Sequence, residues 1–326
     1  RDSLHELGCE VGVWYWALQS ESPRYTKIFG FLNRESKLQN CPLDENFLYD
    51  HAEFAKKLAA AGTDIIMYDD DFRFGFIDSG FGCMCRYHMK AMEERLCEPL
   101  SEGSLYEKIF TGGKNRYRDA WYEATGESLK NFALKMREAV DTVNPRVRIG
   151  ACSCMTVWDT DGVDSYTMAR CFAGKTRPFV RLIGAPYWAA MGMLWGNRIQ
   201  DVIELERMQL GWRREEDGDI EVFSEGDVYP RPRFRVPAAY LEALDTALRA
   251  DGGSDGILKY VLDYTAKPDY ETGYVKTHVR NESLYGEIKE RFDGRRTEGI
   301  RIYESMHKLQ SAYFTPEEIA DRSRIQ

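Results

Sequence analysis

Short apolar, β-branched runs alternate with stretches of helical spacing along this chain, and that alternation restricts its fold more than any other feature. The strand-like runs are Val11–Trp16, Thr63–Tyr68, Val147–Met155, Phe179–Ala185, Asp219–Phe223 and Gly256–Leu262. Strands buried on both faces of a parallel sheet read as continuous apolar runs rather than alternating ones. Between them, Leu48–Ala61 carries apolar residues at helical spacing and stops at Gly62, and Leu129–Val143 stops before Asn144-Pro145. Asp201–Trp212 and Ala238–Leu248 follow the same logic, the latter ending near Gly252-Gly253. Glycine and proline at these places end helices. Strand–helix alternation implies a parallel sheet covered by helices, so the expected class is α/β, of the (β/α)8 TIM-barrel type. About six βα units are visible, where a closed barrel needs eight. Ser3–Leu7 before Gly8 reads as the tail of a helix feeding a strand, so the first two βα units are expected to be lacking from this chain. Residues 1–295 are expected to form the partial barrel. Gly299–Tyr303, after the polar stretch Asp293–Glu298, reads as the start of a following domain or a C-terminal tail over 296–326.

The 326 residues suffice for one large barrel or two ordinary domains. A net charge of −9 argues against a nucleic-acid backbone or an anionic membrane as partner, and no apolar stretch is long enough to span a bilayer. The chain starts at Arg1 with no charged, apolar leader behind it. Of the eight cysteines, Cys83 and Cys85 are too close for an ordinary disulfide. Metal binding, or free thiols in a reducing compartment, fits them better, so a cytoplasmic location is favoured.

In parallel barrels the chemistry sits at the C-terminal strand ends. The first run ends in Trp14, Tyr15 and Trp16; the second in Asp69, Asp70 and Asp71; the third in Cys152 and Cys154, then Trp158, Asp159 and Asp161. The fourth ends in Tyr187 and Trp188, the fifth in Ser224-Glu225-Gly226-Asp227, the sixth in Asp263 and Tyr264. A lone acid at a strand end is more often a helix N-cap, and Trp14 with Trp16 on one strand face is as consistent with packing as with ligand stacking. Small buried thiols explain Cys152 and Cys154. Three successive aspartates exceed what capping needs, and their like charges raise the pKa of at least one. Glu225 precedes the Pro-rich Tyr229-Pro-Arg-Pro, where no helix starts. Carboxylates interleaved with aromatics suit a polyhydroxylated ligand, and two carboxylates from different strands are what glycoside hydrolysis requires.

Cys83-Met-Cys85-Arg-Tyr-His88 offers three soft or borderline ligands in six residues, and Cys41-Pro42 is the best fourth. Four protein ligands leave no open position, so such a zinc is structural.

These residues resemble the family 42 glycoside hydrolases, the zinc-containing β-galactosidases of the large retaining (β/α)8 clan. The matching order is a strand, a long aromatic and Pro-containing loop, Cys41-Pro42, a helix over Asn46–Ala61, a strand ending in the acid/base motif, then the cluster Cys83, Cys85, His88. The match covers roughly Val11 to Met92; beyond it only strand order corresponds. The chain has Asp70-Asp71-Phe72 where the family has Asn-Glu-Tyr, and His88 where it has a third cluster cysteine.

The resemblance implies a retaining glycosidase acting on a β-linked sugar such as a β-galactoside, with structural zinc on Cys41, Cys83, Cys85 and His88. Asp71 then takes the acid's place, with a pKa raised by Asp69 and Asp70, and Glu225 takes the nucleophile's place. Asp70, Trp14, Trp158, Trp188 and Asp227 are the expected sugar contacts. Carbohydrate is the expected partner, and a homo-oligomer is compatible. Two alternatives stand beside this. A non-catalytic carbohydrate-binding barrel accords with the missing glutamate at the acid position. A metal-dependent hydrolase needs histidines at strand ends, and none of the five His is there.

Overall fold

In chain order the strands of the computed structural model are β1 (Gly12–Tyr15), β2 (Lys27–Gly30), β3 (Arg34–Asn40), β4 (Ile65–Tyr68), β5 (Arg148–Cys152), β6 (Phe179–Leu182), β7 (Glu221–Gly226) and β8 (Gly256–Lys259). The structure describes residues 1–154, 158–186, 198–227, 236–262, 266–292, 294–295, 298–300 and 308–320. All six strand-like runs of the sequence hold a strand, in a six-stranded sheet of order β1-β4-β5-β6-β7-β8. The β1–β4, β4–β5 and β7–β8 ladders are parallel. Consecutive parallel strands with helices between them are the βα repeat of the barrel class. β7 runs on to Gly226, so Glu225 lies inside the strand rather than beyond it.

The remaining two strands differ from expectation. The segment between β1 and Cys41, expected as a loop, contains the antiparallel hairpin β2–β3, with Phe29 opposite Glu35 and Gly30 opposite Arg34. Its turn uses Asn33 at φ 57, a conformation Asn tolerates. The hairpin is hard to see in sequence because Arg34–Asn40 is largely polar and has no apolar alternation.

By its contacts the chain falls into two units, one of Arg1–Phe179 with Ser305–Gln326 and one of Val180–Glu304. In the first, Ile66 and Tyr68 of β4 and Ile149 of β5 pack with Phe132, Met136 and Phe172. Phe132 comes from the Arg116–Asp141 helix, which starts well before the expected Leu129. Gly126 interrupts the apolar spacing there, at a point where a Cβ would overlap the Gly162 carbonyl. The Glu45–Ala60 helix is N-capped by Asp44, whose carboxylate accepts the Phe47 N–H at 3.0 Å, a bond worth about 1 kcal/mol.

The first unit also takes in Lys308–Ala320. Phe314 exchanges backbone hydrogen bonds with Gly112 at 2.7 and 3.0 Å, and Ile319 joins the cluster of Phe110 and Trp121. Arg118, fully buried, donates to the carbonyls of Ile109, Phe110, Gly112, Leu309, Gln310 and Ala312. This part of the 296–326 segment therefore packs back onto the first unit; most of the expected strand Gly299–Tyr303 lies outside the described residues.

In the second unit the Ala238–Asp251 helix ends at Gly252, φ 73. Its Glu242 and Asp245 both pair with Lys259 at the end of β8, and the ammonium also donates to Tyr285 Oη at 2.9 Å.

Candidate functional site

The three aspartates after β4 have separate fates. Asp71 is buried, and both its oxygens are engaged: Oδ1 accepts the Ala17 N–H at 2.7 Å, while Oδ2 accepts Leu18 at 2.7 Å and Gln19 at 2.8 Å. It thereby holds the loop after β1 in place. Burial pushes its carboxyl up to about 6, against the pull of the three amides, with Asp69 the smallest contributor. The raised value follows expectation; its cause does not, since desolvation rather than crowding of like charges dominates. A general acid must carry a proton toward the leaving group; of the two Asp71 oxygens, Oδ2 already accepts two amides, which leaves Oδ1, with one, as the oxygen for that proton.

Asp70 presents a more open side chain, 30% exposed, with Arg73 at 3.2 Å. Asp69 accepts the Asp70 N–H at 2.7 Å. The same clamp recurs at the next strand. Asp161, after β5, accepts the Phe74 N–H at 2.6 Å, and burial pushes its carboxyl up to about 8. Asp159 accepts Leu309 N–H at 2.9 Å. The acids after β4 and β5 thus largely order loops, which sequence spacing does not reveal.

The aromatics divide as well. Trp14 and Trp16 are 41% and 56% exposed. Trp158, expected against a sugar, is 2% exposed and donates its indole N–H to Ser165 Oγ at 2.7 Å. It packs in the core and offers no stacking face. Trp188, like Tyr187, Asp263 and Tyr264, lies outside the described residues.

In the second unit, Glu225 is the penultimate residue of β7, buried, 2.9 Å from the guanidinium of Arg181 in β6. Asp227 follows at the strand end and is also buried. Arg181 went unnoticed in the sequence. Its signal was a cation inside the apolar run Phe179-Val-Arg-Leu182; buried charges require a partner.

The metal-type residues come together. Cys41 follows β3; Cys83 and Cys85 lead into the Arg86–Leu96 helix, and His88 sits in its first turn. The three sulfurs and the imidazole nitrogen lie within 4.8 Å of one another, and all four residues are buried. Cys41 Sγ is 3.4 Å from Cys85 Sγ and 3.4 Å from His88 Nδ1, and Cys85 Sγ is 3.6 Å from Nδ1. Tetrahedral metal–sulfur bonds of about 2.3 Å place sulfurs about 3.8 Å apart, so little adjustment is needed. Ser128 Oγ donates to the Thr125 carbonyl at 2.7 Å, so it accepts the His88 Nε2–H at 3.1 Å. That fixes the tautomer and leaves the Nδ1 lone pair facing the thiols. Burial raises the Cys41 and Cys83 thiols well above their usual range, while hydrogen bonds from those two sulfurs lower Cys85. Among the described residues, the cluster can hold a metal ion. No helix among these residues is long and apolar enough to cross a membrane.

No protein-family model and no curated protein matches the sequence. Solved structures do. The β-galactosidase from Rahnella sp. R3 superposes with a TM-score of 0.54 at 12% identity, over 89% of this chain and 47% of that one. The β-galactosidase from the haloarchaeon Halorubrum lacusprofundi gives 0.54 at 11% identity, over 84% and 46%. The chain spans about half the length of either. Both neighbours are glycoside hydrolases of the TIM-barrel type, and what this chain shares with them is that fold.

Proposed function

We propose that this protein is a retaining glycosidase acting on a β-linked sugar such as a β-galactoside. The observation that carries the reading is Glu225: a carboxylate at the C-terminal end of a parallel strand, 2.9 Å from Arg181. An adjacent guanidinium favours the charged carboxylate, the state a nucleophile needs to attack an anomeric carbon and form a glycosyl-enzyme. The acid comes from the aspartate triplet. Of its members we assign that role to Asp70, whose side chain is the more open, and give Asp71 the task of holding the loop after β1. Trp14 offers a face for the sugar ring. Cys41, Cys83, Cys85 and His88 would hold a structural zinc, whose chemistry is to tie the Cys41 loop to the Arg86–Leu96 helix.

One observation favours a second reading. With Asp71 committed to loop amides, a sugar-binding barrel without turnover needs nothing further from the triplet. Hydrolysis of a panel of aryl β-glycosides separates the two. Glu225→Ala should abolish turnover, and azide should partly restore it by replacing the missing nucleophile. A wild-type protein that binds sugars yet hydrolyses none of the panel would reject the glycosidase.

A further inference from the structure

Glu206 is a fully buried carboxyl group on the Ile199–Gly211 helix, on a face that also buries Val202, Leu205 and Leu210. A helix packed on a sheet normally fills that face with apolar side chains, so a glutamate there calls for a partner. It has several, all at the ends of β6 and β7. Ser224 Oγ lies 3.4 Å from its Oε2, and the backbone N–H of Glu225 donates to it. Gly184, just past β6, leaves room for it: a Cβ there would stand 2.5 Å from Glu206 Cγ. One turn along the same helix, Gln209 Nε2 donates to the Ile183 carbonyl at 2.8 Å.

The charged groups acting on Glu206 are Glu225 from β7 and Arg181 from β6. One guanidinium, 2.9 Å from Glu225, thus also acts electrostatically on Glu206. Charging both glutamates would set two buried carboxylates against each other, which is costly. We propose that Glu206 is the positioning residue for Glu225: it fixes the end of β7 through the Glu225 N–H and Ser224, and leaves the charge of Arg181 to the Glu225 carboxylate. The inference rests on Glu225 being the reactive carboxylate. Burial first, and then Glu225, push the Glu206 carboxyl up to about 8, so at neutral pH it is the neutral member of the trio.

The sign of the pH effect follows. Between its ordinary range and about 8, the folded protein holds a proton on Glu206 that the unfolded chain has lost, so rising pH favours unfolding. Urea unfolding of wild type, Glu206→Gln, Glu225→Gln and the double variant, from pH 5 to 10, tests the proposal. Relative to Glu206→Gln, the wild-type folding constant should fall by up to about tenfold per pH unit. The double-variant cycle should show a coupling of about threefold or more in that constant. Should Glu206→Gln not fold, Ser224→Ala serves instead: loss of a donor to the charged form should move the upper end of the window to higher pH. On an aryl β-galactoside, Glu206→Gln should also shift the alkaline limb of kcat/KM. Additive effects in the cycle, or an unmoved window in Ser224→Ala, would overturn the proposal whether or not any glycoside is turned over. A protein silent on every glycoside that still shows the coupling would lose the glycosidase reading and keep Glu206 as the residue that positions Glu225.

Discussion

His88 directs Nε2 at Ser128 Oγ, 3.1 Å away, and so turns Nδ1 toward Cys41 and Cys85. The hydroxyl sits on a different helix from the histidine, and its own proton is committed to Thr125. Ser128→Ala should therefore keep the fold and weaken metal binding by about 10–100-fold. Competition against a chromophoric chelator measures this, and unchanged affinity would show that Ser128 does not orient the ligand. Stripping zinc under reducing conditions should lower stability by about 3–4 kcal/mol relative to protein held at free zinc of roughly 10²–10³ times Kd.

Asp71 and Asp70 should separate stability from chemistry. Asp71→Ala leaves the Ala17, Leu18 and Gln19 N–H groups without their acceptor. Unsatisfied buried donors cost about 1–3 kcal/mol each, so a loss of about 3 kcal/mol or more is expected in urea unfolding. Asp70→Ala should cost little stability. It should slow glycosides with poor leaving groups far more than activated aryl glycosides, because only the former need protonation. The reverse pattern would return the acid role to Asp71.

Asp161 adds a second pH dependence. Burial holds its carboxyl up to about 8 from 3.8, so between those values the folded protein keeps a proton that the unfolded chain releases. Stability contributed by this group falls as pH rises through that window, by up to about 1.4 kcal/mol per unit, and is level outside it. Asp161→Asn should flatten the slope by about one proton. An unchanged slope between pH 5 and 8 would show that Asp161 is charged in the folded state.

Arg118 ties Lys308–Ser311 and Ala312 to the segment before the Arg116–Asp141 helix. Arg118→Met keeps bulk but removes every donor. Proteolysis should then cut within 308–320 sooner than in wild type, with the rest of the first unit retained. Equal cleavage rates would mean that Phe314 and Ile319 hold the segment without it.

Much of this organisation was legible in the sequence, for physical reasons. Parallel strands buried on both faces must be apolar and β-branched, so all six runs declared themselves. Gly62 marks the end of one helix by its positive φ; the start of that helix at its Asp44 cap, earlier than the Leu48 read from apolar spacing, was not legible. The metal-type cluster was legible because few other uses explain two cysteines and a histidine in six residues. The β2–β3 hairpin was not, since its second strand is polar and its pairing is fixed by contacts such as the Ser36 Oγ–Asp78 Oδ1 hydrogen bond at 2.6 Å.

The sequence by itself determined where the strands of the six-stranded sheet form, which residues can bind a metal, and that acids gather at strand ends. Local propensity and side-chain chemistry act over a few residues, and they suffice for that. Only the tertiary structure decided what each acid does. The amides that occupy Asp71 come from 52 to 54 residues earlier, and the amide on Asp161 from 87 residues earlier. Whether a carboxylate meets solvent, a loop of N–H groups or a guanidinium depends on such distant neighbours, and its burial and hydrogen bonds set its protonation. Three adjacent aspartates, alike in sequence, differ for that reason.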